Sequence, residues 1–67
     1  MKNKIYEFRK LRGLTQPQLA EKANLTSYTL IQRYERGLRT PGVDIAIRIA
    51  RALDTTVEAL FQIDDEE

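Results

Sequence analysis

The side chains that carry most enzyme chemistry are scarce in this sequence. It has no cysteine and no histidine, which removes thiolate nucleophiles, disulfides and the usual zinc ligands. Four carboxylates stand side by side at the C-terminus, from Asp64 to Glu67, and adjacent residues of a tail are not the converging pair that general acid–base catalysis needs. We therefore predict that the chain is not an enzyme and that it holds no metal or other cofactor.

Hydrogen-bonding and basic side chains, in contrast, are concentrated in the middle of the chain. A glutamine can bond bidentately to adenine, an arginine can do so to guanine, and a threonine offers thymine a hydroxyl or a methyl group. We expect five residues to contact DNA bases on this ground: Ser27, Tyr28, Thr29, Gln32 and Arg33. The alternative is an ordinary solvated surface, so the interpretation depends on the element that presents these side chains.

The charge is divided unevenly along the chain. Residues 1–39 contain nine lysines and arginines against three glutamates, a balance of +6. Residues 40–67 contain two arginines against seven acidic residues, a balance of −5. Such polarity suits a domain with one face toward a polyanion, although ordinary surface charge is an alternative. Because the basic half includes the hydrogen-bonding cluster, we favour the polyanion.

Two short helices joined by a tight turn are predicted to position the cluster. Thr15 should cap the first helix, with Gln18 completing a capping box, and Asn24 can adopt the left-handed conformation that ends it. The second helix should extend over residues 27–36 and stop at Gly37. Its start is expected to be capped by Thr26 or Ser27, and its inward residues are expected to be Leu30, Ile31 and Tyr34. Helices this short, joined this closely, must cross steeply, which is the helix-turn-helix arrangement.

Three further helices are predicted around this pair. The first should begin at an Asn3 cap, end at Gly13, and turn Ile5, Phe8 and Leu11 inward. The fourth should cover residues 43–53 and end at Asp54, and a short fifth helix should be capped by Thr56. The inward residues of the fourth helix are expected to be Val43, Ala46, Ile47, Ile49, Ala50 and Leu53. The result is an all-α domain over residues 1–63, followed by an acidic, frayed tail over residues 64–67.

Several segments, taken in order, carry a family resemblance. They are the run LRGLTQPQLAEKAN, the sequence YERG, the TP pair after it, and IARALDTTVEALF. In this order and spacing they resemble the helix-turn-helix family of phage repressors, Cro proteins and their XRE-like bacterial relatives. The resemblance covers about residues 4–61 and implies a compact five-helix, lambda-repressor-like fold. The chain is one residue longer than the usual pattern between the TQ pair and the glycine, and we place the extra residue in the turn 24–27.

The resemblance also implies roles for residues outside the second helix of the motif. Gln16, which opens the first helix, is expected to bind a DNA phosphate, as the free N–H groups there also favour. Arg9 is expected to form a structural ion pair with Glu35. Further candidates for phosphate contact are Arg36, Arg39, Thr40, Gln18 and Lys10.

These expectations combine into one functional hypothesis. It is a sequence-specific regulator of transcription, most simply a repressor that occupies a palindromic operator on double-stranded DNA, with a homodimer forming at least on DNA. Val57, Ile45 and Ile63 can make a two-fold contact or can complete the core. Without an apolar run of about 20 residues or a signal-peptide core, we expect no membrane association and a cytoplasmic location.

Two other readings of the same fold stay open. One is a protein-interaction module, either an antitoxin or an adaptor. The other is RNA binding, which is disfavoured because the sequence offers no cluster of exposed aromatic residues on which bases can stack.

Overall fold

Capping side chains and left-handed residues divide the chain into five helices in the computed structural model, which describes residues 2–62 and the side chains of residues 3–61. In chain order the elements are β1 (Lys2–Asn3), α1 (Ile5–Leu11), α2 (Gln16–Lys22), α3 (Thr29–Glu35), α4 (Val43–Ala52), α5 (Val57–Leu60) and β2 (Phe61–Gln62). No helix within residues 2–62 has the length and apolar character that crossing a bilayer requires. Ile63 and the acidic residues 64–67, for which expectations were stated above, lie outside the described residues.

The helices end where the sequence predicts. Gly13, Asn24, Gly37 and Asp54 all have positive φ, at 72°, 60°, 74° and 58°, so each turns the chain out of a helix through the left-handed region. Glycine enters this region without strain, and Asn and Asp are the other residue types that tolerate it best.

Two helix starts also follow the prediction. Thr15 caps α2 in a complete capping box: its hydroxyl accepts from the Gln18 amide at 3.2 Å, and the Gln18 side chain accepts from the Thr15 amide at 2.9 Å. The Thr56 hydroxyl caps α5 by accepting from the Ala59 amide at 3.1 Å.

One hydrophobic core receives side chains from every helix. Its largest fully buried members are Ile5, Leu19, Ile31, Ile49, Leu53 and Leu60. The Tyr34 side chain of α3 is also buried, and Leu30 packs against the cluster from its edge. Since α3 places Ile31 and Tyr34 in this core, the opposite side of α3 is turned toward solvent.

The prediction that three apolar residues face inward is wrong: Leu11 is 71% exposed, Val43 77% and Ile47 38%. Leu11 follows Ile5 by six positions, which turns its side chain about 120° away from the Ile5 face at 100° per residue. Ile47 stands about 110° from the centre of the stripe that α4 buries. That stripe consists of Ala46, Ile49, Ala50 and Leu53. Ile45, for which a two-fold contact and a place in the core were both open, packs against the core.

The first and last described residues meet in a small ribbon that was not expected from the sequence. Strands β1 and β2 pair antiparallel, with Lys2 opposite Gln62 and Asn3 opposite Phe61. Helix α1 therefore begins at Ile5, later than expected, although the Asn3 carboxamide still accepts from the Ile5 amide at 3.1 Å. Strands of two residues are too short to show the alternating pattern by which strands are recognised.

A second long-range contact joins α1 to the end of α4. The Arg12 guanidinium donates to the Leu53 carbonyl at 2.9 Å and to the Asp54 carbonyl at 3.3 Å. The last carbonyls of a helix have no intrahelical partner and carry partial negative charge, so a cation satisfies them well.

Candidate nucleic-acid interface

Helix α3 presents a polar face to solvent. Thr29 and Arg33 are exposed, Gln32 is partly exposed, and Ile31 and Tyr34 hold the opposite side in the core. Within residues 3–61 the ion pairs are Arg9–Glu35 and Arg48–Asp44, so Arg33 has no acidic partner in this part of the chain. Among the described residues, the side chains of Gln32 and Arg33 make no hydrogen bond and no ion pair.

The start of α3 differs from the expected one. The helix begins at Thr29, and Ser27 and Tyr28 stand in the turn ahead of it. The Ser27 hydroxyl accepts from the Thr29 amide at 3.2 Å and is also hydrogen-bonded to the Thr29 hydroxyl. Residue 28 itself supplies no side-chain cap, so Ser27 takes that role one position earlier than usual.

Thr29, Gln32 and Arg33 share the outward side of this shorter helix, and the two other candidate base contacts directly precede it. Ser27 and Tyr28 are exposed, with Tyr28 at 48%, and they adjoin the first turn of α3. An α-helix with its side chains is about 10–12 Å across, and the major groove of B-DNA is about 12 Å wide. The dimensions of α3 therefore suit insertion into that groove.

Gln16 is the first residue of α2 and is partly buried. It lines an open cleft of about 500 Å³ between the end of α1 and the start of α2, together with Lys10, Gly13 and Thr15. The exposed Lys10 side chain gives this cleft a positive charge. Gln18, another phosphate candidate, uses its side-chain oxygen in the capping box, which leaves its amide N–H groups for a ligand.

The other phosphate candidates follow α3. Arg36 is the C-cap of that helix, and Arg39 and Thr40 stand in the loop toward α4; all three are exposed. The loop 36–40 and the cleft at the start of α2 thus place cationic or hydrogen-bonding groups in segments adjoining α3. Whether these groups contact phosphate stays a prediction.

The structure contains the ion pair between Arg9 and Glu35. The Arg9 Nε atom donates to Glu35 Oε2 at 2.6 Å and Arg9 Nη2 donates to Oε1 at 3.2 Å, with both side chains less than 10% exposed. A third donor, Nη1, reaches the Leu14 carbonyl at 2.8 Å. The guanidinium also lies 5.2 Å from the centre of the Tyr6 ring, within the range of a cation–π contact.

A contact of Gln16 was not foreseen. Its Nε2 atom donates to Glu35 Oε1 at 3.0 Å, across a separation of 19 residues. Like the bonds of Arg12, this one joins residues remote in sequence. Neither the Gln16 contact nor the Arg12 contact has a local sequence signal such as a cap or a periodic pattern. The sequence alone therefore could not predict them.

The structure is a small all-α domain in which an exposed polar helix lies against a second helix and is flanked by cationic loops. This arrangement defines a helix-turn-helix protein. Comparison with known proteins agrees. A family profile described as "Helix-turn-helix" matches residues 5–60, nearly the whole chain.

Two of the similar sequences come from archaea. The chain is 39% identical over 67 residues to an uncharacterised HTH-type transcriptional regulator of Archaeoglobus fulgidus, covering 100% of this chain and 94% of that protein. It is 42% identical over 67 residues to an uncharacterised HTH-type transcriptional regulator of Methanothermobacter thermautotrophicus, covering 98% of this chain and 96% of that protein.

Two solved structures share the fold. The restriction-modification controller protein C.AhdI from Aeromonas hydrophila superposes with a TM-score of 0.80 at 31% identity, covering 87% of this chain and 86% of that one. A chain of the SinR/SinI protein complex superposes with a TM-score of 0.81 at 26% identity, covering 92% of this chain and 65% of that one. The chain belongs to the helix-turn-helix family of transcriptional regulators, of the phage repressor and Cro (XRE-like) type, with a lambda-repressor-like fold.

Proposed function

We propose that the chain is a sequence-specific regulator that binds double-stranded DNA by inserting α3 into the major groove, and that it represses transcription by occupying an operator. The observation that carries this proposal is the polar, uncovered face of α3, whose other side is fixed in the core by Ile31 and Tyr34. A rigid helix with an outward row of hydrogen-bonding side chains is what direct base contact requires.

Each polar group has an assigned partner in this proposal. Gln32 and Arg33 contact base edges, and the hydroxyl groups of Ser27 and Thr29 and the ring of Tyr28 contact bases or adjoining phosphates. Phosphates are bound on both sides of α3. The residues assigned to them are Gln16, Gln18, Lys10, Arg36, Arg39 and Thr40. Affinity should therefore fall with salt, with a slope of about −0.9 per phosphate neutralised.

The test is selection of bound duplexes from a random-sequence pool, repeated with Arg33→Ala and with Arg51→Ala. Both arginines are exposed, but Arg51 is on α4 and is not among the residues assigned to DNA, so the two variants remove the same charge from different helices. The proposal expects the wild type and Arg51→Ala to enrich the same palindrome, and Arg33→Ala to lose the preference. Failure of the wild type to retain any duplex at low salt would overturn it.

We extend the proposal to a homodimer that forms on DNA. Val43 and Ile47 of α4 face Val57 and Phe61 across an apolar groove of about 310 Å³. The full lining is Thr40, Pro41, Val43, Ala46, Ile47, Val57, Glu58 and Phe61. Thr40 belongs both to this groove and to the proposed phosphate cluster, so a second copy seated in the groove would lie beside the same duplex.

The groove is too small to hold a stable dimer in the absence of DNA. Stable free interfaces bury about 1,200–2,000 Å² in total, more than a few side chains from each copy supply. We therefore expect a monomer in solution and pairing when DNA holds two copies side by side. Val57 and Ile45 both pack against the core, but Val57 also lines the groove, so we assign the two-fold contact to Val57.

The same groove favours one alternative, a protein-interaction module that acts as an antitoxin or an adaptor. One of the similar structures is a complex of two different proteins, SinR and SinI. Under this alternative the groove would bind an unrelated protein, and replacing Val43 and Ile47 by serine would abolish that binding. The wild type would then not change the mobility of duplex DNA.

A further inference from the structure

The Glu35 carboxylate joins three helices. Its Oε1 atom accepts from Arg9 Nη2 of α1 at 3.2 Å and from Gln16 Nε2 of α2 at 3.0 Å, and its Oε2 atom accepts from Arg9 Nε at 2.6 Å. Glu35 itself is the last residue of α3. The bond to Gln16 is not needed to satisfy the arginine, so it calls for an explanation of its own.

The bond fixes the orientation of the Gln16 amide. A carboxylate only accepts hydrogen bonds, so the nitrogen of the amide must face Glu35 and its oxygen must face away. The nitrogen carries two N–H groups, of which Glu35 takes one. The other remains for a ligand in the cleft that Gln16 shares with Lys10. A side chain held in place before binding loses less rotamer entropy when a ligand arrives.

Arg9 neutralises the charge of the Glu35 carboxylate. A lone carboxylate beside a phosphate would repel it, whereas a carboxylate bonded to a guanidinium through two nitrogens is neutralised as a pair. With Arg9 in place, Glu35 can hold Gln16 without presenting net negative charge to the DNA backbone.

We propose that Glu35 is a positioning residue for phosphate binding: it holds the Gln16 amide so that the second N–H meets a DNA phosphate. Because the same bond connects the start of α2 to the end of α3, the phosphate contact also fixes where α3 lies in the groove. This inference rests on the proposed DNA binding, and it assigns to the buried ion pair a role in binding in addition to its role in the fold.

A matched pair of variants isolates the acceptor. Arg9→Met/Glu35→Gln and Arg9→Met/Glu35→Leu both remove the ion pair and both leave the net charge unchanged. They differ in that the glutamine keeps an oxygen for Gln16 Nε2 and the leucine does not. Each is made with and without Gln16→Ala, and the dissociation constant for a short labelled duplex of random sequence is measured at low salt by fluorescence anisotropy. Circular dichroism and urea unfolding report the fold and its stability separately.

The proposal expects the leucine variant to bind DNA about tenfold more weakly than the glutamine variant. This is the loss typical of one hydrogen bond to a charged group, here the bond from Gln16 to the DNA phosphate. In the Gln16→Ala background the two should agree within about twofold. An equal ratio in both backgrounds, or no difference in either, would show that Glu35 acts on the fold alone. If Gln16→Ala binds as the wild type does, the positioning role is overturned while DNA binding stands; if the wild type itself does not bind, both proposals fail.

A measurement on the unaltered chain tests the proposal even if the variants do not fold. Nuclear magnetic relaxation of the side-chain amides should give a higher order parameter for Gln16 than for Gln32, which makes no side-chain hydrogen bond within residues 3–61. Equal mobility of the two amides would overturn the proposal.

Discussion

Glu35→Leu should destabilise the fold far more than Arg9→Met/Glu35→Leu does. Both side chains of the ion pair are less than 10% exposed. Removing the carboxylate alone leaves the Arg9 guanidinium buried, with the Leu14 carbonyl as its remaining hydrogen-bond partner among the described residues. Stranding one member of a buried pair typically destabilises a protein by about 3–5 kcal/mol.

The double variant removes the stranded charge as well. What it loses is the bond from Arg9 to the Leu14 carbonyl and the bond from Gln16 to Glu35, each worth about 1 kcal/mol, together with attraction that desolvation largely offsets. We expect a loss of about 1–2 kcal/mol. For a chain of 67 residues the unfolding entropy is about 0.14 kcal/mol/K, so a loss of 3 kcal/mol lowers Tm by about 20 °C.

Urea unfolding followed by circular dichroism measures both variants, and thermal unfolding provides the second estimate. Arg51→Ala is the control, since Arg51 is exposed and forms no ion pair within residues 3–61. Equal losses in the single and the double variant would refute the reasoning, because they would mean that the isolated guanidinium costs nothing to bury.

Three further outcomes are expected. Arg12→Met should lower the unfolding free energy by about 1–2 kcal/mol, because the terminal carbonyls of α4 lose their donor; a loss no larger than that of Arg51→Ala would contradict this. Thr15→Ala should lower the unfolding free energy, measured by urea unfolding, by about 1 kcal/mol, because it removes the cap of α2. Val43→Ser/Ile47→Ser should lower the unfolding free energy by only about 1–2 kcal/mol, since Val43 is 77% and Ile47 38% exposed, but abolish cooperative binding to a palindromic duplex in mobility-shift titrations. Undiminished cooperativity would exclude the groove.

Features set by neighbouring residues were predictable from the sequence. The capping box of Thr15 and the left-handed conformations of Asn24 and Asp54 depend on a few adjacent positions, and each occurs where expected. The apolar spacing of α3 likewise identified Ile31 and Tyr34 as buried, and so identified the outward face.

Features set by the packing of distant segments were not predictable. An apolar residue at an edge of a helical stripe, such as Ile47, is buried or exposed according to what lies opposite it, and periodicity does not contain that information. The contact between Gln16 and Glu35 spans 19 residues and exists because α2 and α3 cross. The two-residue ribbon depends in the same way on where the helices bring residues 2–3 and 61–62.

The most direct test of the account is amide chemical-shift mapping of the isotope-labelled chain on titration with a short duplex. We expect the largest shifts in three segments, namely the start of α2 at residues 16–18, residues 27–33, and the loop 36–40. Shifts that instead concentrate along α4 and α5, with α3 unchanged, would contradict the claim that the polar face of α3 contacts DNA.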